Sequence, residues 1–270
     1  MIGLVLGETK LGNLIIKKLK LINENFLVID LSSKKIYRRN KNHTSLSIGQ
    51  LGKAISILRK NKCKKILFAG KLSRPNFSKI KLDFKFLYNL PKILKSSKKG
   101  DSALIKEFLR IFKKEGFKVL NSTYFNPELV LKKGNYTRVK PNQSNKEDIR
   151  KAKNIISDLG RHDIGQGVLV RKGFVITIEG PEGTDTMLNR ASKLIKRLSS
   201  EDDRHGILLK FPKSKQDLRT DLPTIGIKTI RKCSKIGIKG IVLKAGKNIF
   251  LDKEKSISLA NKKNMFICAI

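Results

Sequence analysis

The densest run of potentially reactive side chains is Lys210-Phe-Pro-Lys-Ser-Lys-Gln-Asp-Leu-Arg-Thr-Asp-Leu-Pro-Thr-Ile-Gly226. It holds four cations (Lys210, Lys213, Lys215, Arg219) and two carboxylates (Asp217, Asp221). Cations and free helix N–H groups suit a phosphate ester, and a carboxylate suits a metal or a water. The same composition also fits a solvated loop between a strand and a helix. A second reactive run is Glu179-Gly-Pro-Glu-Gly-Thr-Asp185, where three acids crowd a Gly-rich turn that opens a helix. Capping and the helix dipole account for one carboxylate at a helix N-terminus, not for three.

These runs need elements to hold them. Gly206-Ile-Leu-Leu209 reads as a buried strand ahead of the first run. Thr224 reads as the N-cap of a helix reaching Ile236 and closed by Gly237. Asp163-Ile-Gly-Gln-Gly-Val-Leu-Val170 places two glycines before a strand, and Gly173–Glu179 is its antiparallel return. Gly240–Leu251 reads as a hairpin turning at Gly246.

The first half alternates strand and helix. Ile2–Leu6, Phe26–Leu31, Lys65–Ala69 and Phe117–Leu120 are apolar strands, and Leu11–Ile22 and Ile48–Lys60 have helical periodicity. Phe84–Leu94 reads as a helix interrupted at Pro91, its Phe84, Phe86, Leu87 and Leu90 being either core or the wall of an apolar cleft. Asp101 sits where a helix cap belongs. Arg74 stands in the loop after Gly70, at the end of a strand where open α/β sheets bind ligands. Gly7-Glu-Thr-Lys-Leu-Gly12 lacks the dinucleotide spacing, so a cofactor-binding Rossmann enzyme is disfavoured. Pro127, Gly134, Pro141 and the polar run Asn142–Lys146 suggest a boundary. The expectation is a two-domain α/β protein, with a mostly parallel Rossmann-like domain over 1–134 and a mixed α/β domain over 135–270.

Composition narrows the class. The 270 residues are 39% hydrophobic, and no apolar run reaches the ~18 residues of a membrane span. Three separated cysteines show no metal or disulfide spacing and fit a cytoplasmic compartment. The net charge is +38, with lysines spread along the whole chain. A nucleic-acid binder concentrates its charge and interleaves aromatics, whereas here aromatics are 6% and Trp is absent. Nucleic acid is therefore not an expected partner, and a basic nucleic-acid-binding protein is the alternative reading.

Asp163-Ile-Gly-Gln-Gly, Glu182-Gly-Thr-Asp-Thr-Met-Leu and Lys210-Phe-Pro-Lys through Arg219-Thr-Asp-Leu-Pro-Thr-Ile-Gly226 occur together and in order. With Phe68–Phe77 and Lys99–Leu104 they resemble the UDP-2,3-diacylglucosamine pyrophosphatases of the LpxI type, across nearly the whole chain. The first turn departs from that family's glycine cluster. The resemblance implies two α/β domains with a ligand cleft between them. It implies hydrolysis of UDP-2,3-diacylglucosamine to UMP and 2,3-diacylglucosamine 1-phosphate (lipid X) in lipid A biosynthesis, with Mg2+ or another divalent cation. It makes Asp221 the essential residue and, with Asp185 and Glu182, a candidate metal ligand. Gly70, Arg74, Asp101, Gln166, Gly167, Thr184, Lys210, Lys213, Gln216, Arg219 and Thr224 are the candidate substrate contacts. It implies a cytoplasmic enzyme peripheral to the inner membrane, and leaves room for a homodimer.

Overall fold

The computed structural model describes residues 1–70, 80–198, 205–214 and 216–270. The chain forms two compact units. One comprises Met1–Pro127 together with Asp217–Asp221, the other Glu128–Gln216 and Leu222–Ile270.

The first unit runs β1 (Ile2–Leu6), α1 (Lys10–Leu21), β2 (Phe26–Asp30), β3 (His43–Ser45), α2 (Leu51–Lys60), β4 (Lys65–Ala69), α3 (Phe84–Ser97), α4 (Asp101–Lys114) and β5 (Lys118–Leu120). Its sheet has the order β3-β2-β1-β4-β5, with every pair parallel. This is the doubly wound arrangement that the alternating strands and helices predict. Parallel strands are covered on both faces, which is why β1, β2 and β4 are nearly continuous Val, Ile and Leu. Val5, Ile29 and Ile66 pack in one cluster with Leu58 of α2, Phe86 of α3 and Phe112 of α4.

The turn after β1 is occupied from within. Tyr37 is fully buried, and its hydroxyl donates to the Gly7 carbonyl at 3.0 Å. Asp30, at the end of β2, accepts from the Ser32 amide and hydroxyl and from the Tyr37 amide. Burial and the nearby Asp30 charge push the Tyr37 hydroxyl up to about 12, so it stays a neutral donor. Asp30 is the acid that would meet a ribose in a dinucleotide fold, and here it is spent on its own loop.

The second unit runs β6 (Gly134–Asn135), α5 (Gln143–Arg161), β7 (Gly167–Arg171), β8 (Phe174–Ile178), α6 (Thr184–Leu198), β9 (Ile207–Lys210), β10 (Thr224–Ile225), α7 (Ile227–Lys235), β11 (Gly240–Leu243), β12 (Ile249–Phe250), α8 (Lys253–Lys262) and β13 (Phe266–Ala269). The six-stranded sheet has the order β6-β13-β11-β9-β7-β8. Strands β13, β11 and β9 are parallel; β6, β7 and β8 pair antiparallel at its flanks. A parallel pair, β10 and β12, stands apart. Leu169, Leu208, Ile241 and Ile267 of the sheet pack with Met187 and Leu188 of α6 and Ile230 of α7.

Five local expectations change. Asn142–Lys146 is not a linker: Asn142 and Asn145 form a reciprocal capping box, and the helix starts there. Thr224 is not an N-cap, because Thr224–Ile225 is extended against Ile249–Phe250 and Gly226 precedes the helix. Gly240–Leu251 is not a hairpin, because β11 and β12 belong to different sheets. Helix α3 continues through Pro91, which stands on its exposed side, where water can satisfy the carbonyl that loses its donor. The cap before α4 is Gly100 at φ 112°, and Asp101 is the first helical residue.

Candidate active site

Strand β9 ends on Lys210, which is 6% exposed. Its ammonium donates to the Thr184 hydroxyl and lies 3.7 Å from Glu179 Oε2. The same hydroxyl, at the first residue of α6, donates to Glu179 Oε2 at 2.9 Å. A buried cation requires a counter-charge, and Glu179, just beyond β8, supplies it. Its charge balanced, Lys210 offers an incoming anion directed N–H groups rather than a bare positive field. The Asn248 amide anchors the Lys210 carbonyl at 3.0 Å.

The two glycines of Asp163-Ile-Gly-Gln-Gly make room for Glu179. Gly165 has φ +54°, and a Cβ there would lie 1.8 Å from the Glu179 carbonyl oxygen. A Cβ on Gly167 would lie 2.6 Å from Glu179 Oε2. Gly167 pairs with Lys210 across the sheet, and the Gln166 carbonyl accepts from the Phe211 amide at 2.9 Å. The motif therefore acts through its backbone at least as much as through its side chains.

The loop after β9 is pinned. Lys213 Nζ donates to the Asp163 carbonyl at 3.0 Å and pairs with its carboxylate at 2.9 Å. Gln216 is buried; its Oε1 accepts from the Lys213 amide at 3.0 Å, and its Nε2 has no hydrogen-bond partner among the described residues.

Asp217–Asp221 then belongs to the first unit, where the Ser122 amide donates to the Arg219 carbonyl at 2.6 Å. Asp217 organises this segment. Its carboxylate accepts from Arg219 Nε at 2.9 Å, from Nη2 at 2.5 Å and from the Arg219 amide at 3.0 Å. Its carbonyl takes the amides of Thr220 and Asp221 at 3.2 and 3.0 Å. Those Arg219 hydrogen bonds hold the Asp217 carboxyl below the usual range. Asp221 closes the turn and is half-exposed. Ser122 Oγ and Thr220 Oγ1 are buried in the same unit with no hydrogen-bond partner among the described residues.

Residues 1–129 match the family model described as the LpxI N-terminal domain, and residues 132–268 match the LpxI C-terminal domain. The protein named UDP-2,3-diacylglucosamine pyrophosphatase LpxI from Caulobacter vibrioides is 38% identical over 226 residues, covering 83% of this chain and 81% of that protein. The chain belongs to the LpxI family.

Within this LpxI chain the candidate residues fall into distinct groups. Thr184 and Lys210 meet directly, with Glu179 as the third member. Gln166 and Gly167 border them through the sheet. Lys213 and Gln216 brace the adjoining loop, and Arg219 and Asp221 share the Asp217 turn. Gly70 has φ +95°, and a Cβ there would lie 2.8 Å from the Gly7 carbonyl oxygen, so close approach of two strand-end turns requires it. Asp101 is exposed at the start of α4. The Thr224 hydroxyl donates to the Leu222 carbonyl at 3.1 Å. Arg74 and Lys215 lie outside the described residues.

The acids proposed to hold a metal are engaged elsewhere. Glu182 pairs with Arg190 at 2.5 Å, and Asp185 pairs with Lys232 at 3.0 Å. Among the described residues, no three His, Cys, Asp or Glu side chains are grouped to hold a metal. As placed here, each of these two acids faces a cation rather than another carboxylate.

Sequence reasoning missed three partners, each within its own unit: Glu179 for Lys210, Asp163 for Lys213 and Asp217 for Arg219. The signal for the first was the surplus of acids in the Glu179–Asp185 turn. The signal for the other two was an acid close in sequence to glycine or to arginine.

Proposed function

We propose that this chain hydrolyses the pyrophosphate bond of UDP-2,3-diacylglucosamine, giving UMP and 2,3-diacylglucosamine 1-phosphate. The observation that carries the reading is the 38% identity over 83% of the chain to a protein of that name, together with both family domains.

In this reaction water oxygen bonds to one phosphorus, the bridging P–O bond breaks, and the water proton leaves. The protein's part is to position the water and stabilise charge on phosphoryl oxygens. Asp221 orients the water and receives its proton, on a turn that Asp217 holds rigid. Arg219, oriented by Asp217, donates to phosphoryl oxygen. Lys210 and Thr184 act as preorganised donors, with Glu179 fixing their direction. Lys213 and Gln216 hold the loop after β9, and Gly70, Arg74, Asp101, Gln166 and Thr224 are proposed contacts on the resemblance alone. A magnesium requirement would draw its oxygen ligands from Asp221 and the substrate phosphates rather than from Glu182 and Asp185.

The test is phosphorus NMR of purified protein with UDP-2,3-diacylglucosamine, repeated with a chelator. Two monoester signals replacing the pyrophosphate pair support the reading. An intact pyrophosphate pair in every condition contradicts it. Loss of turnover in chelator supports the metal proposal, and unchanged turnover contradicts that part alone.

A further inference from the structure

We propose that the outward face of α3 docks on an anionic lipid bilayer. The inference rests on the reading above that the substrate is a membrane lipid. The helix buries Phe86, Asn89 and Ile93 against its own unit. On the opposite side Phe84 is 83% exposed, Tyr88 77%, Leu87 48% and Leu94 38%. With Pro91, these residues fall within an arc of about 120° on a helix of 3.6 residues per turn, an arc that Lys95 enters only in the last turn. An ordinary surface helix is charged there. Single exposed apolar residues need no explanation, but a contiguous aromatic and aliphatic face marks an interaction surface.

Charge selects the partner. Between Asp83 and Asp101 stand five lysines and no acid. Lys92, Lys95, Lys98 and Lys99 are all exposed. Asp83 turns its carboxylate inward, onto the amides of Phe86 and Lys53 at 2.9 Å each. An apolar face with lysines beside it and at its C-terminal end matches an anionic leaflet, where rings sit at headgroup depth and ammonium groups meet phosphate. A second copy of this +38 chain would instead set lysine against lysine. At 14 residues the helix is too short to span a bilayer, so it lies in the interface.

The test is flotation with vesicles of phosphatidylethanolamine and phosphatidylglycerol, against vesicles of phosphatidylcholine alone, with no substrate present. Wild-type protein floats with the anionic vesicles. The Phe84→Ser/Tyr88→Ser double variant keeps every charge and the buried Phe86, Asn89 and Ile93, so its melting temperature is unchanged and its partitioning falls about ten-fold or more. The chain has no tryptophan, so Tyr88→Trp supplies a single reporter whose emission shifts to the blue on anionic vesicles. Equal flotation of wild type and double variant, or an unshifted emission, overturns the proposal. A double variant that loses a dimer while floating normally also overturns it and assigns the face to a second copy. Product release from detergent-dispersed substrate, measured in parallel, fails separately if the enzymatic reading is wrong.

Discussion

Lys210 is a cation with almost no access to water, so its neighbours decide what it can do. Thr184 and Glu179 fix its ammonium in one direction. Glu179→Gln removes the counter-charge while keeping the shape. Breaking a buried pair in this way should cost about 3–5 kcal/mol in urea unfolding, because a charge is left buried alone. A loss under about 0.5 kcal/mol, as for a surface pair, would show that Lys210 is hydrated and not held by Glu179. The cysteines give a second residue-scale test. Cys63, Cys233 and Cys268 are all buried and free, and burial pushes Cys233 up to about 12 and Cys268 to about 11. The folded protein should therefore react with a thiol reagent only as fast as it opens, and denaturant should release all three thiols. Rapid labelling of the native chain would contradict this burial. The acid that completes Lys210's site lies 31 positions before it in the chain, and only the packing of β8, β7 and β9 brings the two together. Sequence reading could count surplus acids in that turn but could not pair them.

At the scale of elements, Asp217 converts a charged loop into a fixed turn. Arg219's hydrogen bonds depress the Asp217 pKa. A folded-state value below the unfolded one contributes stability above the unfolded pKa, and that contribution is lost as pH falls through the folded value. The turn should stay ordered at neutral pH and loosen only below about pH 4, the ordinary carboxylate value. Hydrogen exchange at the Thr220 and Asp221 amides would report it. Asp217→Asn should speed that exchange at neutral pH and lower kcat by about ten- to hundred-fold, since small displacements of a positioned group are costly. Unchanged exchange in the variant would mean that other contacts hold the turn. Where the chain's order was local it was legible: apolar periodicity placed the parallel strands and long helices, and Asp163-Ile-Gly-Gln-Gly sat before a strand as read. Where a distant partner decided, it was not. Thr224 looked like a cap because its strand partner Ile249 arrives 25 residues later. Asn142–Lys146 looked like a linker because its capping box uses Asn145 at the position usually held by Glu or Gln.

For the whole molecule the dominant fact is the +38 charge. Among the described residues, depressed carboxyl values at Glu8, Glu107, Glu182 and Asp217 show acids already drawn into hydrogen bonds and ion pairs. The remaining cations repel one another and destabilise the compact state. Raising ionic strength from about 0.01 M to about 0.15 M shortens the screening length from about 30 to 8 Å. The melting temperature should rise across that range, and a flat or falling profile in calorimetry would contradict the account of self-repulsion. No helix among the described residues is long and apolar enough to cross a membrane. The account as a whole turns on Asp221. The direct measurement is single-turnover UMP release from UDP-2,3-diacylglucosamine by wild type and Asp221→Ala, with matched melting temperatures. The account predicts a loss of at least about 100-fold in the variant, as for removal of an essential transition-state group. A folded variant that keeps more than about a tenth of wild-type turnover would contradict it.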